Sequence, residues 1–351
     1  MLNKLGIILG GNSTEHDASI HSYRNVIESF ILENKLNLIK KVIYVKGDKI
    51  FVYENDFPKT EGELTKAKSK LLPEMTKELD KDLYWFSLLH GNEGEDGAYQ
   101  GLAEIFSIKG SFGDLLPAGI SMNKWIMTEL AQSVTKNKIN SIPYIKLGSK
   151  SKEKEVSDFM KEFPCENYVI KPNRLGASLF TKKLSKKEVL SFFKSNDFKN
   201  ILKYDKDILL QKYMVGREFT LGIFQKKDKL IDLPIVEIFT EDNFLGHKEK
   251  HKNGFVKVTF NKVEKEIKDL MVENSKLLFD ELNFSNFCRF DYILSDGKIY
   301  LLEANSIPGL MSCSIFTRML EKGGFTIPEM IEIFSNNENF KPVKDYRYEI
   351  D

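Results

Sequence analysis

Residues 5–9 form an apolar run that ends in Gly10-Gly11-Asn12, the pattern of a buried strand followed by a turn. After it, Ile20, Tyr23, Ile27, Phe30 and Ile31 recur at spacings of three and four, which predicts a helix with one apolar face. Residues 42–45 and 50–53 read as strands, and 83–89 as a second buried strand ending at His90-Gly91. Between them, 56–81 is polar and rich in lysine and glutamate, and is expected to be a surface insertion with some helix. Strand–helix–strand alternation implies an open α/β sheet whose working edge lies at the strand C-termini.

A second unit is expected from about residue 115. Ser121 is placed to cap a helix through Lys124, Met127 and Leu130, and Ser185-Lys186-Lys187-Glu188 has capping-box spacing for another. Strands are predicted at 144–147 and 168–171. A third unit begins near Ile208, with strands at 208–211, 218–224 and 230–237 and a loop over 239–255. A long amphipathic helix carries Ile267, Leu270, Met271, Leu277 and Leu278, and a hairpin over 287–305 turns at Ser295-Asp296-Gly297. The expected division is therefore 1–114, 115–207 and 208–351.

Composition narrows the class. The 351 residues carry 52 Lys+Arg against 51 Asp+Glu, and this near-neutral balance argues against a nucleic-acid partner, which needs a basic surplus to displace counterions. With 42% hydrophobic and 29% charged residues, neither a disordered chain nor a membrane protein is expected. Cys165, Cys288 and Cys313 are widely spaced and odd in number, which builds neither a disulfide framework nor a zinc site. The opening apolar run is too short for a signal-peptide core. A soluble cytoplasmic protein is the expectation.

Chemistry concentrates in the hairpin. Residues two apart on a strand share a face, so Arg289 pairs with Asp291 and Glu303 with Asn305. A two-residue turn at Asp296-Gly297 sets Asp291 opposite Leu302, whereas one additional loop residue sets it opposite Glu303. The second register is adopted here, because two carboxylates and an amide oxygen then make a hard-cation site suited to Mg²⁺ with phosphate oxygens. Asn173-Arg174-Leu175-Gly176-Ala177-Ser178 follows a strand ending in Lys171-Pro172, and its small residues let backbone N–H groups approach phosphate. It is not a Walker A loop, and Gly10-Gly11-Asn12-Ser13 is not a dinucleotide fingerprint. Glu15-His16-Asp17 and His90-Gly91-Asn92-Glu93-Gly94-Glu95-Asp96-Gly97 both fall at the ligand-binding edge of the first sheet.

Together these segments match one family in order and spacing. Leu9-Gly10-Gly11-Asn12-Ser13-Thr14-Glu15-His16, Leu89-His90-Gly91, Gly94-Glu95-Asp96-Gly97, Gln100-Gly101, Met122-Asn123-Lys124 and Ile170-Lys171-Pro172 are followed by Gly216-Arg217-Glu218-Phe219-Thr220. Arg289-Phe290-Asp291, Leu302-Glu303-Ala304-Asn305 and Pro308-Gly309 complete the set. The chain resembles the D-alanine–D-alanine ligases of the ATP-grasp superfamily over nearly its whole length. The resemblance implies an α/β (α+β) fold of three units: an N-terminal Rossmann-like open sheet, a central ATP-grasp subdomain and a C-terminal ATP-grasp subdomain. It also implies ATP between the last two units, with Lys124 and Lys171 on phosphates, Glu218 on the ribose, and Gln211, Lys212 and Met214 at the adenine. Asp291, Glu303 and Asn305 resemble the ligands of two Mg²⁺ ions, with Mn²⁺ as the alternative metal. By similarity Glu15 receives the first substrate's ammonium and His90 its carboxylate, while Lys250, Ser314 and Ile315 meet the second substrate. Arg289 and the Gly309 N–H resemble donors to a tetrahedral intermediate, and Ser178 and His251 belong with them among the catalytic residues. The implied reaction joins amino acids through an acyl phosphate, for cell-wall precursor synthesis, and the family precedent is a homodimer.

Three departures bear on the substrate. The loop that ends in two serines in the family reads Ala177-Ser178 here, with Phe180 where a glycine is expected. Gln211 replaces a glutamate, and His251 stands at a tyrosine position. A loop histidine is similar to ligases that make D-alanine–D-lactate, since a cationic imidazole attracts a hydroxy acid's carboxylate and disfavours an ammonium. The alternatives are therefore a depsipeptide ligase, a ligase of specialised-metabolite dipeptides, or an ATP-binding protein without ligase activity.

Overall fold

In the computed structural model, which describes residues 4–240, 256–260 and 263–337, β1 (Leu5–Gly10) is buried along its whole length. It is followed by α1 (His16–Leu32), β2 (Ile39–Lys46), β3 (Lys49–Tyr53), β4 (Ser69–Leu71), α2 (Met75–Glu78), β5 (Tyr84–Ser87) and α3 (Ala98–Phe106). The five strands make one sheet in the order β4-β3-β2-β1-β5, with β1 parallel to both neighbours. Parallel strands are covered on both faces, which is why β1 and β5 read as continuous apolar runs. Gly10 and Gly11 take φ of +92° and +90°, and this left-handed pair turns the chain from β1 towards Glu15 and α1. The 56–81 segment is more than a surface insertion. Its β4 pairs with the edge strand β3, and Phe57, Leu64, Met75 and Leu79 are buried. Apolar residues spread among many lysines have no clear period, so the pattern understated their packing.

The middle of the chain contributes α4 (Leu115–Met122), α5 (Lys124–Val134), β6 (Ile139–Asn140), β7 (Tyr144–Leu147), α6 (Glu153–Glu162), β8 (Asn167–Pro172), β9 (Lys182–Ser185), α7 (Val189–Phe193), α8 (Asn196–Ile201) and β10 (Ile208–Lys212). Strands β7-β10-β8-β9 form an antiparallel sheet. The cap of α5 is Asn123, whose side chain accepts from the Ile126 N–H, rather than Ser121, which lies in the last turn of α4. Glu188 accepts from both the N–H and the hydroxyl of Ser185, but its own N–H donates to the Ser185 carbonyl rather than to the side chain, so only half of the expected capping box forms. Glu188 itself stands at the N-cap of the short helix that follows.

The last third supplies β11 (Arg217–Lys226), β12 (Lys229–Asp232), β13 (Val236–Thr240), β14 (Val256–Thr259), α9 (Lys265–Glu281), β15 (Phe287–Ser295), β16 (Lys298–Asn305), α10 (Ile315–Lys322) and α11 (Ile327–Ser335). Among the described residues the sheet runs β14-β13-β11-β15-β16-β6, with β12 beside β11. Two strands pair across the expected division at 208. β10 belongs to the sheet of β7, β8 and β9, and β6 completes the sheet of the last unit. Met127, Ala131 and Ile139 share a core with Phe219, Phe290 and Leu301. Strand pairing between distant segments decides this, and no local period encodes it. On α9, Met271 and Leu278 are fully buried, whereas Leu277 is 38% exposed and points outward.

Candidate active site

The strongest sequence signal, the hairpin of β15 and β16, does set Asp291 opposite Glu303 and Arg289 opposite Asn305. The route differs from the one expected. Ser295 pairs with Lys298, so the turn has two residues, Asp296 and Gly297, both with positive φ. The extra residue is a β-bulge at Leu302, between the Tyr292–Leu301 and Asp291–Glu303 pairs. The bulge turns Glu303 onto the face of Asp291.

Asp291 is tightly held. Arg289 donates to its two oxygens at 2.9 and 2.8 Å, Thr220 Oγ1 donates at 2.5 Å, and Asn305 Nδ2 lies 3.4 Å away. Burial works against the Arg289 charge, but Asp291, Glu303 and Glu95 outweigh it and the guanidinium pKa is raised. Lys124, itself buried, donates to the Leu175 carbonyl at 2.7 Å and stands 3.9 Å from Glu303. Asn173 fixes the start of that helix, because its side chain accepts from Trp125 N–H and donates to Asn123.

Two hollows meet at these residues. The larger, about 850 Å³ including its mouth, lies between the sheets of the middle and last units. Lys124, Lys171, Ser178, Gln211, Lys212, Met214, Glu218, Asp291 and Glu303 all line it, with an apolar lining from Ile142, Val169 and Leu302. The smaller, about 390 Å³, is lined by Glu15, Glu95, Ala177, Asn305 and again Lys124 and Glu303. Those two shared residues mark the junction. Among the described residues no group of three or more His, Cys, Asp or Glu side chains is set to hold a metal. Two carboxylates and an amide nevertheless suit Mg²⁺, which keeps waters and takes phosphate oxygens to fill its shell.

The loop between β8 and β9 closes the junction. A Cβ at Gly176 would lie 1.9 Å from Glu15 Oε1, so any larger residue there would make that carboxylate shift. Ala177, Ser178 and Phe180 take φ of 50°, 53° and 59°. The backbone at 180 is thus one that glycine adopts freely, and Phe180 accepts the strain, about 1–2 kcal/mol, while packing its ring 5.0 Å from Tyr204.

His90 is buried, with Nδ1 3.2 Å from the Ile307 carbonyl and Nε2 3.3 Å from Ser22 Oγ. Burial lowers its pKa to about 4, so the ring is neutral. Glu95 accepts from the N–H groups of Gly91 at 2.7 Å and Ile307 at 3.2 Å. Burial and then the Glu15 charge push its pKa upward, while the two N–H donors oppose them. A Cβ at Gly309 would be 3.2 Å from Ser314 Oγ, which brings those two together, and Ile315 packs on the adjoining core. His247, Lys250 and His251 lie outside the described residues. Sequence reasoning does not single out Glu95 or Thr220. Thr220 is readable in principle, since it follows Glu218 by two on a strand and shares its face. Glu95 sits inside a matched segment but has no local feature to raise it above Glu93.

Two family models match the chain: "D-ala D-ala ligase N-terminus" over residues 4–111 and "D-ala D-ala ligase C-terminus" over residues 133–335. The chain is 29% identical over 368 residues to the D-alanine–D-alanine ligase of Thermosipho melanesiensis, covering 98% of this chain and 96% of that one. It is 28% identical to D-alanine–D-alanine ligase B of Clostridium perfringens, over 97% of this chain and all of the other. Among solved structures, the VanG D-Ala:D-Ser ligase of Enterococcus faecalis superposes with a TM-score of 0.76 at 21% identity, covering 95% of this chain and 99% of that one. A D-alanine–D-alanine ligase of Bacillus anthracis complexed with ATP gives 0.69 at 22%, covering 95% and 96%. The fold is that of the ATP-grasp ligases.

Proposed function

The chain belongs to the D-alanine–D-alanine ligase family and is an ATP-dependent ligase, and we propose that it joins two D-alanines through an acyl phosphate. The observation that carries this is the junction at Lys124 and Glu303. A nucleotide in the larger hollow and an amino acid in the smaller one would bring a γ-phosphate and a carboxylate together there. Phosphoryl transfer demands mainly positioning and charge neutralisation, which the residues around the junction can supply.

In this reading Glu15 anchors the first ammonium, so the carboxylate points at the phosphate. Lys124 and Lys171 hold the phosphates, Glu218 the ribose, and Gln211, Lys212 and Met214 the base. Asp291, Glu303 and Asn305 would hold Mg²⁺, two ions by family precedent with Mn²⁺ able to substitute, and the metal would neutralise charge on the transferred phosphate. Ser178 lies with the phosphate-holding groups. The second amine, met by Ser314, Ile315 and Lys250, attacks the acyl carbon. Arg289 and the Gly309 N–H stabilise the oxyanion that forms, and His251 acts at the same step. Removing one such donor costs roughly 3–4 kcal/mol. The product is a cell-wall precursor dipeptide made in the cytoplasm by a homodimer.

Ala177 gives a second reading some weight. It lines the smaller hollow beside Glu15 and lacks the hydroxyl that the family resemblance implies at this position, and in this second reading the acceptor is a hydroxy acid. Phosphate release from ATP and Mg²⁺ across a panel of D- and L-amino acids and D-lactate separates the two. D-alanine alone should support turnover and L-alanine should not. Turnover only with D-alanine plus D-lactate would identify a depsipeptide ligase instead, and none with any amino acid, while ATP still binds, would overturn both. The Ala177→Ser variant should shift acceptor preference further towards D-alanine; unchanged preference would show that the hydroxyl is not the determinant.

A further inference from the structure

The turn after β16 carries Gly309, with Ile307 and Leu310 on either side packed into the core that the first and last units share. Four hydrogen bonds to its backbone come from the N-terminal unit. Leu310 is gripped on both sides of its backbone by α1: its N–H donates to Ser22 Oγ at 3.2 Å, and its carbonyl accepts from Asn25 Nδ2 at 2.8 Å. Ile307 is gripped likewise, its N–H donating to Glu95 and its carbonyl meeting His90 Nδ1. The two clamps interlock. The Ile307 carbonyl can only accept, so the neutral His90 carries its proton on Nδ1 and its Nε2 accepts from the Ser22 hydroxyl. Ser22 thus accepts from Leu310 and donates to His90, with both its hydrogen-bonding roles in use. Gly309 lies between two residues whose peptide groups are fixed at four points.

We infer that Ser22 and Asn25 are positioning residues for the Gly309 amide, holding it where the tetrahedral intermediate forms. Glu15 stands at the N-cap of the same helix, and Ser22 follows it by seven residues, about two turns and so on nearly the same face. One rigid helix therefore sets the distance between the group that anchors the first substrate and the turn that receives its oxyanion. Electrostatic stabilisation of this kind depends on a donor fixed in advance, and a displacement of about 1 Å can cost a hundredfold in rate. The inference rests on the ligase reading and adds to it two residues that touch no substrate.

The test separates the two chemical steps. Scrambling of bridge ¹⁸O in β,γ-labelled ATP, with the first amino acid present, reports reversible acyl-phosphate formation; dipeptide yield reports the second step. Asn25→Ala and Ser22→Ala should leave ATP affinity and label scrambling within about twofold of wild type, while dipeptide synthesis falls tenfold or more. Ser22→Thr, which keeps the hydroxyl, and Asn25→Asp, which keeps the size but cannot donate, control for misfolding: the first should restore synthesis and the second should not. Equal loss of both steps, or no loss in either, would overturn the inference. Wild-type protein that binds ATP but scrambles no label with any D-amino acid would instead overturn the ligase reading.

Discussion

Asp291 accepts from Arg289 twice and from Thr220 once, and still faces Glu303 across the strand pair. Such a carboxylate is oriented before any cation arrives. Asp291→Asn keeps the shape and removes the charge, so turnover should fall on the order of a thousandfold or more. It also leaves the buried Arg289 without its partner, which costs about 3–5 kcal/mol, and a urea unfolding curve should show that loss. Near-normal turnover would refute the metal assignment. His90 makes a different prediction. Its folded pKa of about 4 lies below the unfolded value of about 6.5, so the unfolded chain binds the proton more readily between those limits. Its contribution to stability is complete above pH 6.5 and is lost as pH falls towards 4, amounting to about 2 kcal/mol at pH 5. His90→Asn should flatten the pH dependence of unfolding between pH 7 and 5 by that amount; an unchanged slope would contradict the buried neutral ring.

At the scale of elements, the site depends on two departures from regular geometry. One is the bulge at Leu302, without which Asp291 would face Leu302 and the carboxylates would point to opposite faces of the sheet. The pairing of Asp291 with Glu303 was readable from the residues; its cause was not, because a bulge is fixed by twist and packing against neighbouring strands. The other is the loop from β8 to β9, where Gly176 meets Glu15. Gly176→Ala should push the Glu15 carboxylate aside, raising KM for the first amino acid about tenfold with ATP affinity unchanged. An unaltered KM would separate Glu15 from ammonium binding. That contact joins residues 161 positions apart, and the clamp of α1 on Leu310 spans 285. Apolar periodicity reports only local partners, so neither was legible. The strands and the matched segments were.

Across the whole molecule, the N-terminal sheet is not an appendage. Leu9, Ile20 and Tyr23 share one core with Phe224, Phe316 and Phe334, so the first and last units pack as one body around the substrate edge. The larger hollow lies between the sheets of the middle and last units, where a bound nucleotide would tie the two together. At a hundred times its dissociation constant, ATP with Mg²⁺ should stabilise the fold by about 2.7 kcal/mol, read as a rise of several degrees in Tm that chelation of the metal largely removes. A Tm indifferent to nucleotide would leave the cleft without its ligand. The expected divisions at 115 and 208 fell where local patterning changed, whereas β6 and β10 each pair into the sheet on the far side of the one at 208. The central claim is that a D-alanine carboxylate takes the γ-phosphate before the peptide bond forms. D-alanine labelled with ¹⁸O in its carboxylate tests this most directly. One labelled oxygen should pass into the released phosphate for each dipeptide made, and phosphate released without label would contradict the acyl-phosphate route.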